Sequence, residues 1–241
     1  IVVKRLLKSK RSHVFHVHEF VYQLQLRVTL SHPNIVTLVG VAWNSVADVM
    51  LIMEHYPLGD LLSYLTHYGE YLTWERSKYR LAVSIARALT YLHSQPTPVA
   101  HRDIRASNVL LTETMGAKLT GFDSSCLDEQ SHRCHVAGPS PFWSAPEVLC
   151  GRPYTAKADV FAFGVLLTEL DTATAPFHDA VSPAGTKLKP IQVLNEVMQG
   201  TLRPSFSAHC PRRIRMIGVG CYQHDANRRP TADQLLRLLE V

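Results

Sequence analysis

Residues 101–111 read His-Arg-Asp-Ile-Arg-Ala-Ser-Asn-Val-Leu-Leu. Asp103 stands five residues before Asn108, on a loop that leads into the short apolar run Val109–Leu111. Such a turn holds a proton acceptor and an oxygen ligand for a cation close together. Asp and Asn side chains also bond backbone groups in turns, so plain loop scaffolding stays open for both.

Working outward, Ala117–Thr120 is a second short β run, and Ala158–Leu170 is apolar on nearly every side, as a helix buried within a larger body would be. Thr231 and Gln234 form a capping box that opens the last helix, with Leu235, Leu236, Leu238 and Leu239 expected beneath it. Upstream, Thr73 is expected to cap an amphipathic helix whose stripe is Leu81, Ile85, Ala88, Leu89 and Leu92. Ile35–Trp43 and Val49–Glu54 pair as a hairpin about Asn44-Ser45. Residues 16–30 read as a helix with Phe20, Leu24, Leu26 and Leu30 on its apolar side, broken by Ser31-His32-Pro33-Asn34. Ile1-Val2-Val3 reads as a buried strand, which leads to the expectation that native sequence precedes Ile1. The layout is a small β-rich part, residues 1–55, followed by a larger helical part, residues 56–241.

The 241 residues are 46% hydrophobic and 19% charged, which excludes a disordered, collagen-like or coiled-coil chain. The longest apolar run, Val160–Leu167, is too short to cross a bilayer. Five scattered cysteines without a Cys-x-x-Cys pair indicate neither a disulfide framework nor a zinc knuckle. A reducing, cytoplasmic setting is expected, whether for the whole protein or for the intracellular part of a larger one. Lys and Arg number 25 against 20 Asp and Glu, a net charge of +5. The basic clusters at Lys4, Arg5, Lys8, Lys10 and Arg11 and at Arg203, Arg212, Arg213 and Arg215 lack interleaved aromatics. They read as solvated surface, and no nucleic-acid partner is expected. His13, His16 and His18 match no zinc-ligand spacing and read as a solvated loop.

The order of these motifs resembles the protein kinase family, in its tyrosine-kinase-like branch of Ser/Thr kinases, across the whole chain. The resemblance implies an α+β, two-lobed fold with ATP and magnesium as cofactors and a protein substrate or signalling partner. Asp103 would accept the proton of the substrate hydroxyl, Asn108 would bind a magnesium, and Lys4 would hold the nucleotide phosphates. Met53, Glu54 and Tyr56 fall at the gatekeeper and the adenine-binding hinge. Glu147 would pair with Arg229, and Asp159 would fix the catalytic loop. Phe122 would fill the apolar pocket of its motif. Ser124, Ser125 and Ser131 lie where a phosphorylated segment would meet Arg102, and Cys126 and Cys134, with His132 and His135, are read as free thiols nearby. Ser140 stands where Ser/Thr enzymes carry Thr, although Arg105 resembles some tyrosine kinases.

Three departures bear on competence. Gly121-Phe122-Asp123 stands where the family has Asp-Phe-Gly, so the metal carboxylate arrives two residues late, about 6.5 Å along an extended strand. Magnesium takes ligands at roughly 2.0–2.1 Å in near-octahedral geometry. For Asp123 to serve it, the chain would slip and Phe122 would leave its pocket. Gln23 occupies the helix position of the glutamate that pairs with the strand lysine; it is expected to bond Lys4, with Glu19 one turn earlier as a displaced charge partner. Arg27 falls where an apolar side chain is usually buried. A glycine-rich phosphate loop before Lys4 is absent from the chain. Three readings follow: a working kinase transferring the γ-phosphoryl of ATP to protein Ser or Thr, a pseudokinase acting as a binding or allosteric module, or a truncated copy without function.

Overall fold

The computed structural model describes residues 1–125 and 140–240. Its first part is a three-stranded antiparallel sheet with one helix. Strands β1 (Val2–Arg5), β2 (Leu38–Ala42) and β3 (Met50–Met53) lie in the order β1-β3-β2. β2 and β3 form the expected hairpin, with a bulge between Leu38 and Gly40. β1 sits at the sheet edge and sets Lys4 opposite Leu51. The strand is not buried as its apolar residues suggested. Ile1, Val2 and Val3 are 79%, 40% and 48% exposed, because among the described residues β1 has one strand neighbour and no covering layer.

Helix α1 (Val14–Thr29) begins two residues before the expected start. It therefore carries His16 and His18 on a helix rather than a loop, and no cluster of metal-ligating side chains occurs among the described residues. α1 buries Val17, Phe20 and Leu26, but also Arg27.

The second part holds α2 (Leu61–Tyr68), α3 (Tyr79–His93), the hairpin of β4 (Val109–Leu111) and β5 (Ala117–Leu119), α4 (Pro146–Leu149), α5 (Ala156–Thr172), α6 (Pro190–Gln199), α7 (Arg212–Cys221) and α8 (Ala232–Glu240). No described helix is long and apolar enough to cross a membrane. Asp60 caps α2 by accepting the Ser63 amide at 2.9 Å. The Thr73 hydroxyl caps no helix amide; the chain passes through a wide turn, Trp74–Lys78, before α3 begins. Thr231 and Gln234 do exchange the bonds of a capping box, at 3.2 and 2.9 Å. Beneath α8 lie Leu235 and Leu239, whereas Leu238 faces solvent.

α5 is apolar on all sides because every side is covered. Val160, Phe163 and Leu167 join one core with Ile85 and Leu89 of α3 and with Leu235 and Leu239 of α8. Phe161 and Val165 join a second core with Val193 and Val197 of α6. Each such side chain contributes about 1.5–3 kcal/mol by burial. A Cβ at Gly164 would stand 2.8 Å from the Cys221 side chain, so the glycine permits the close approach of α5 and α7. The first core runs on through Leu26, Leu30, Ile35 and Phe122, which joins the two parts of the chain.

Glu147 and Arg229 lock α4 to the turn before α8. The guanidinium donates Nη1 and Nη2 to the two carboxylate oxygens at 2.6 and 2.8 Å, and Nε to the Gln223 carbonyl at 2.8 Å. The Arg229 side chain is fully buried and lies over the Phe161 ring. Removing one partner of a buried pair costs about 3–5 kcal/mol. Arg229→Ala is therefore expected to lower the melting temperature by roughly 10 °C, at about 2–4 °C per kcal/mol for a domain of this size. Differential scanning fluorimetry checks this, and an unchanged midpoint would contradict it.

Candidate functional site

The loop of residues 101–108 is held from below by α5. Asp159 is fully buried, and its carboxylate accepts from the His101 amide at 2.9 Å, the Arg102 amide at 2.9 Å and the Tyr154 hydroxyl at 2.8 Å, with His93 Nε2 at 2.8 Å. Burial pushes its pKa up, but the His93 contact and the other donors outweigh that and leave it below the usual value. These bonds hold Arg102 at φ +69°, a conformation that non-glycine residues seldom adopt. His101 gives Nε2 to the Thr120 carbonyl at 2.8 Å, and its Nδ1 accepts the Asp103 amide at 3.3 Å. Burial lowers its pKa, so the ring is neutral.

Asp103 and Asn108 meet directly. Asn108 Nδ2 donates to Asp103 Oδ2 at 2.6 Å and to its carbonyl at 2.8 Å. The Ser140 hydroxyl donates to Asp103 Oδ1 at 3.1 Å, and Arg105 Nε lies 3.2 Å from the same oxygen. Both carboxylate oxygens are thus engaged.

Gly121 has φ +80°, and a Cβ built there would fall 2.5–2.7 Å from the Asn108 side-chain atoms. Asn108 thus fills the space that a side chain at 121 would need. Phe122 stays buried, edge-on to His101 with ring centroids 4.7 Å apart. The chain therefore does not slip. Asp123 instead turns to Lys4, with which it forms an ion pair. Both side chains are partly exposed, and such pairs contribute about 1 kcal/mol or less. Burial and then the Arg27 guanidinium pull the Lys4 pKa down, to about 8.

Gln23 does not bond Lys4. Its Nε2 donates to the Asp123 carbonyl at 3.0 Å, and Lys4 pairs with Asp123 rather than Glu19. The reason is reach: the 3-10 turn Phe122–Ser124 brings Asp123 up to the sheet edge. Lys4, Gln23, Arg27, Met53 and Asp123 share a cavity of about 30 Å³, room for little more than a water.

At the hinge, the Glu54 amide donates to the Thr37 carbonyl at 3.1 Å, and the Tyr56 hydroxyl donates to Glu54 Oε2 at 2.8 Å. Hydrogen bonds from the Thr37 and Tyr56 side chains hold the Glu54 carboxyl below its ordinary value. The donor set does not fit magnesium: position 121 has no carboxylate, Asp123 is turned to Lys4, and Asn108 is turned to Asp103. Ser125 is buried and donates to the His101 carbonyl at 3.0 Å, so it is no accessible phosphate acceptor. Cys126, Ser131, His132, Cys134 and His135 lie outside the described residues.

Two residues carry more than the sequence reading gave them. Arg27 is buried with its guanidinium 4.6 Å above the Phe122 ring and Nη2 2.5 Å from the Val36 carbonyl. Its place in the α1 stripe, four residues after Gln23, was the only sign. Glu169 accepts Trp143 Nε1 at 2.7 Å and the Ala106 amide at 3.1 Å, joining the loop to the segment before α4. An acid inside the apolar run of α5 was the available signal.

Residues 1–239 match the family model described as protein tyrosine and serine/threonine kinase. The serine/threonine/tyrosine-protein kinase HT1 of Arabidopsis thaliana is 32% identical over 222 residues, covering 92% of this chain and 54% of its own length. The serine/threonine-protein kinase VIK of the same plant is 34% identical over 248 residues, covering 100% and 54%. The probable serine/threonine-protein kinase drkB of Dictyostelium discoideum is 30% identical, covering 92% and 31%. The chain spans about half or less of these relatives.

Burial raises the Glu169 pKa from 4.5 to about 7 against the pull of its donors. Between those values the folded state keeps a proton that the unfolded state has lost, so stability from this group is present below about pH 4.5 and gone above about pH 7. In Glu169→Gln, the fall in melting temperature between about pH 5 and about pH 7.5 is expected to shrink relative to the unaltered chain. Parallel melts over that range test it, and identical slopes would refute it.

Proposed function

The chain belongs to the protein tyrosine and serine/threonine kinase family, and on that premise we propose that it is a pseudokinase, a binding or allosteric module whose cleft does not run magnesium-dependent phosphoryl transfer. One observation carries the reading: Asn108 fills the space beside Gly121 while the displaced carboxylate, Asp123, neutralises Lys4. In this family two groups of charge organise the phosphates, the metal with its carboxylate and the strand lysine. Here the carboxylate is spent on the lysine.

A nucleotide remains a reasonable ligand. The Lys4–Asp123 pair is weak enough for a phosphate to displace Asp123, and the backbone of Glu54 and Tyr56 would meet the adenine edge, behind the gatekeeper Met53, as the family resemblance implies. Lys4 would then act on the phosphates as a point charge. Asp159 and the Glu147–Arg229 pair would keep the larger part in its family shape for a protein partner.

A second reading has its own support. The Ser140 hydroxyl lies 3.1 Å from Asp103 Oδ1, which is how a substrate Ser or Thr hydroxyl would meet a proton acceptor. On this reading Asp103 serves ATP-dependent transfer to a protein hydroxyl.

Calorimetric titration of the 241-residue chain with ATP, in magnesium and in EDTA, separates the two. Equal affinities are expected, with radiolabel transfer to a generic acceptor no higher than that of Asp103→Asn. Binding tightened tenfold by magnesium, about 1.4 kcal/mol, or transfer lost only in Asp103→Asn, would overturn the pseudokinase reading.

A further inference from the structure

Arg27 is a buried cation without a carboxylate of its own among the described residues. It is 4% exposed, Nη2 is bound to the Val36 carbonyl, and Nη1 has no hydrogen-bond partner among the described residues. Asp123, which shares the small front cavity with it, is paired with Lys4. Leaving a charge buried and uncompensated is costly, and burial accordingly lowers the Arg27 pKa to about 10, which still leaves it charged at neutral pH.

Arg27 also lines a second, larger cavity of about 550 Å³, on the side formed by the end of α1, the turn at Ser31–Pro33, β2 and β5. That volume falls in the range of about 300–1,000 Å³ typical of small-molecule sites. Its charged or titratable lining residues are Arg27, His32 and Lys118, and no carboxylate lines it among the described residues. Apolar surface is supplied by Leu30, Leu38 and Val41.

The surrounding charges leave the cavity positive. His32 Nδ1 accepts the Asn34 amide at 3.1 Å, which puts the ring proton on Nε2, and burial with Arg87 and Lys118 lowers its pKa. It is a neutral donor. Lys118 Nζ lies 5.6 Å over the Tyr56 ring. Glu54, the carboxylate that feels Lys118, is already bonded by Thr37 and by the Tyr56 hydroxyl. Arg87, which bears on His32, is paired with Glu240.

We infer that this cavity binds a small organic anion, with a phosphate or carboxylate head held by Lys118 and drawn by the field of the buried Arg27, and an apolar body against Leu30, Leu38 and Val41. Arg27 also borders the front cavity at Lys4, but the site does not depend on the pseudokinase reading. Because the Arg27 guanidinium also covers Phe122, an anion here would act on the residue next to Gly121 from the opposite side.

The test is calorimetric titration of the 241-residue chain with phenyl phosphate, with benzoate and with neutral benzamide. One of the two anions is expected to bind saturably and benzamide not at all; the tighter anion identifies the head group. Lys118→Gln, at a half-buried position, is expected to weaken that binding about tenfold or more, since hydrogen bonds to charged groups contribute about 1.5–3 kcal/mol. Arg27→Leu is expected to abolish it, and Lys118→Gln keeps the test decisive should that variant not fold. No saturable binding of either anion, binding indifferent to Lys118→Gln, or equal binding of benzamide would each overturn the site.

Discussion

Asp159 is the constraint on which the rest depends. A carboxylate with no exposure is tolerated because His93, Tyr154 and the amides of His101 and Arg102 all face it. Each buried donor left unsatisfied costs about 1–3 kcal/mol, and a domain's whole stability is about 5–15 kcal/mol. Losing this one carboxylate would therefore consume much of the margin. What it maintains is a strained turn: Arg102 at positive φ, and beyond it Asp103 and Asn108 in contact. α5 is apolar over most of its length so that it can be buried, and its carboxylates at Asp159 and Glu169 give the loop above it a fixed floor.

On the proposed reading, the family's charges on that floor are partly moved and partly lost. The carboxylate has moved from position 121 to 123, and the strand lysine has taken it as a partner. The helix carries an amide at Gln23, which follows the carboxylate by bonding its backbone carbonyl. Arg27 lies in the space above Phe122, where an aromatic face offsets part of its burial. Asn108 has closed over Gly121. Each change is local, and on the proposed reading the turned Asp123 and Asn108 leave a divalent cation without ligands.

The fold was legible in the sequence where one physical pattern dominated. The all-round apolar run of α5 could only be a covered helix, and the Thr231–Gln234 box marked the start of α8 because its two bonds are strictly local. The contacts that decide the site were less legible. That Asp123 would reach Lys4 depends on a 3-10 turn after Gly121, and spacing along an extended strand gave no hint of it. Gln23 and Lys4 were expected to meet because their positions do so in relatives, but a nearer carbonyl took the amide. The exposure of β1 and of Leu238 depends on which surfaces receive a covering layer, and composition is silent on that. Arg27 showed only as an interruption in a stripe; that an aromatic ring and a carbonyl would receive it is a tertiary fact.

The central claim is that the position of one carboxylate uncouples this cleft from magnesium. Its most direct test is to move the carboxylate back, in the double variant Gly121→Asp with Asp123→Gly, and to compare ATP affinity with and without magnesium. Asp tolerates the left-handed backbone at 121 better than most residues, and the obstruction there is the end of the Asn108 side chain, which can rotate. The account predicts that magnesium tightens ATP binding at least tenfold, about 1.4 kcal/mol, in the double variant and not in the unaltered chain. A double variant that stays indifferent to magnesium, or an unaltered chain that already responds, would contradict it.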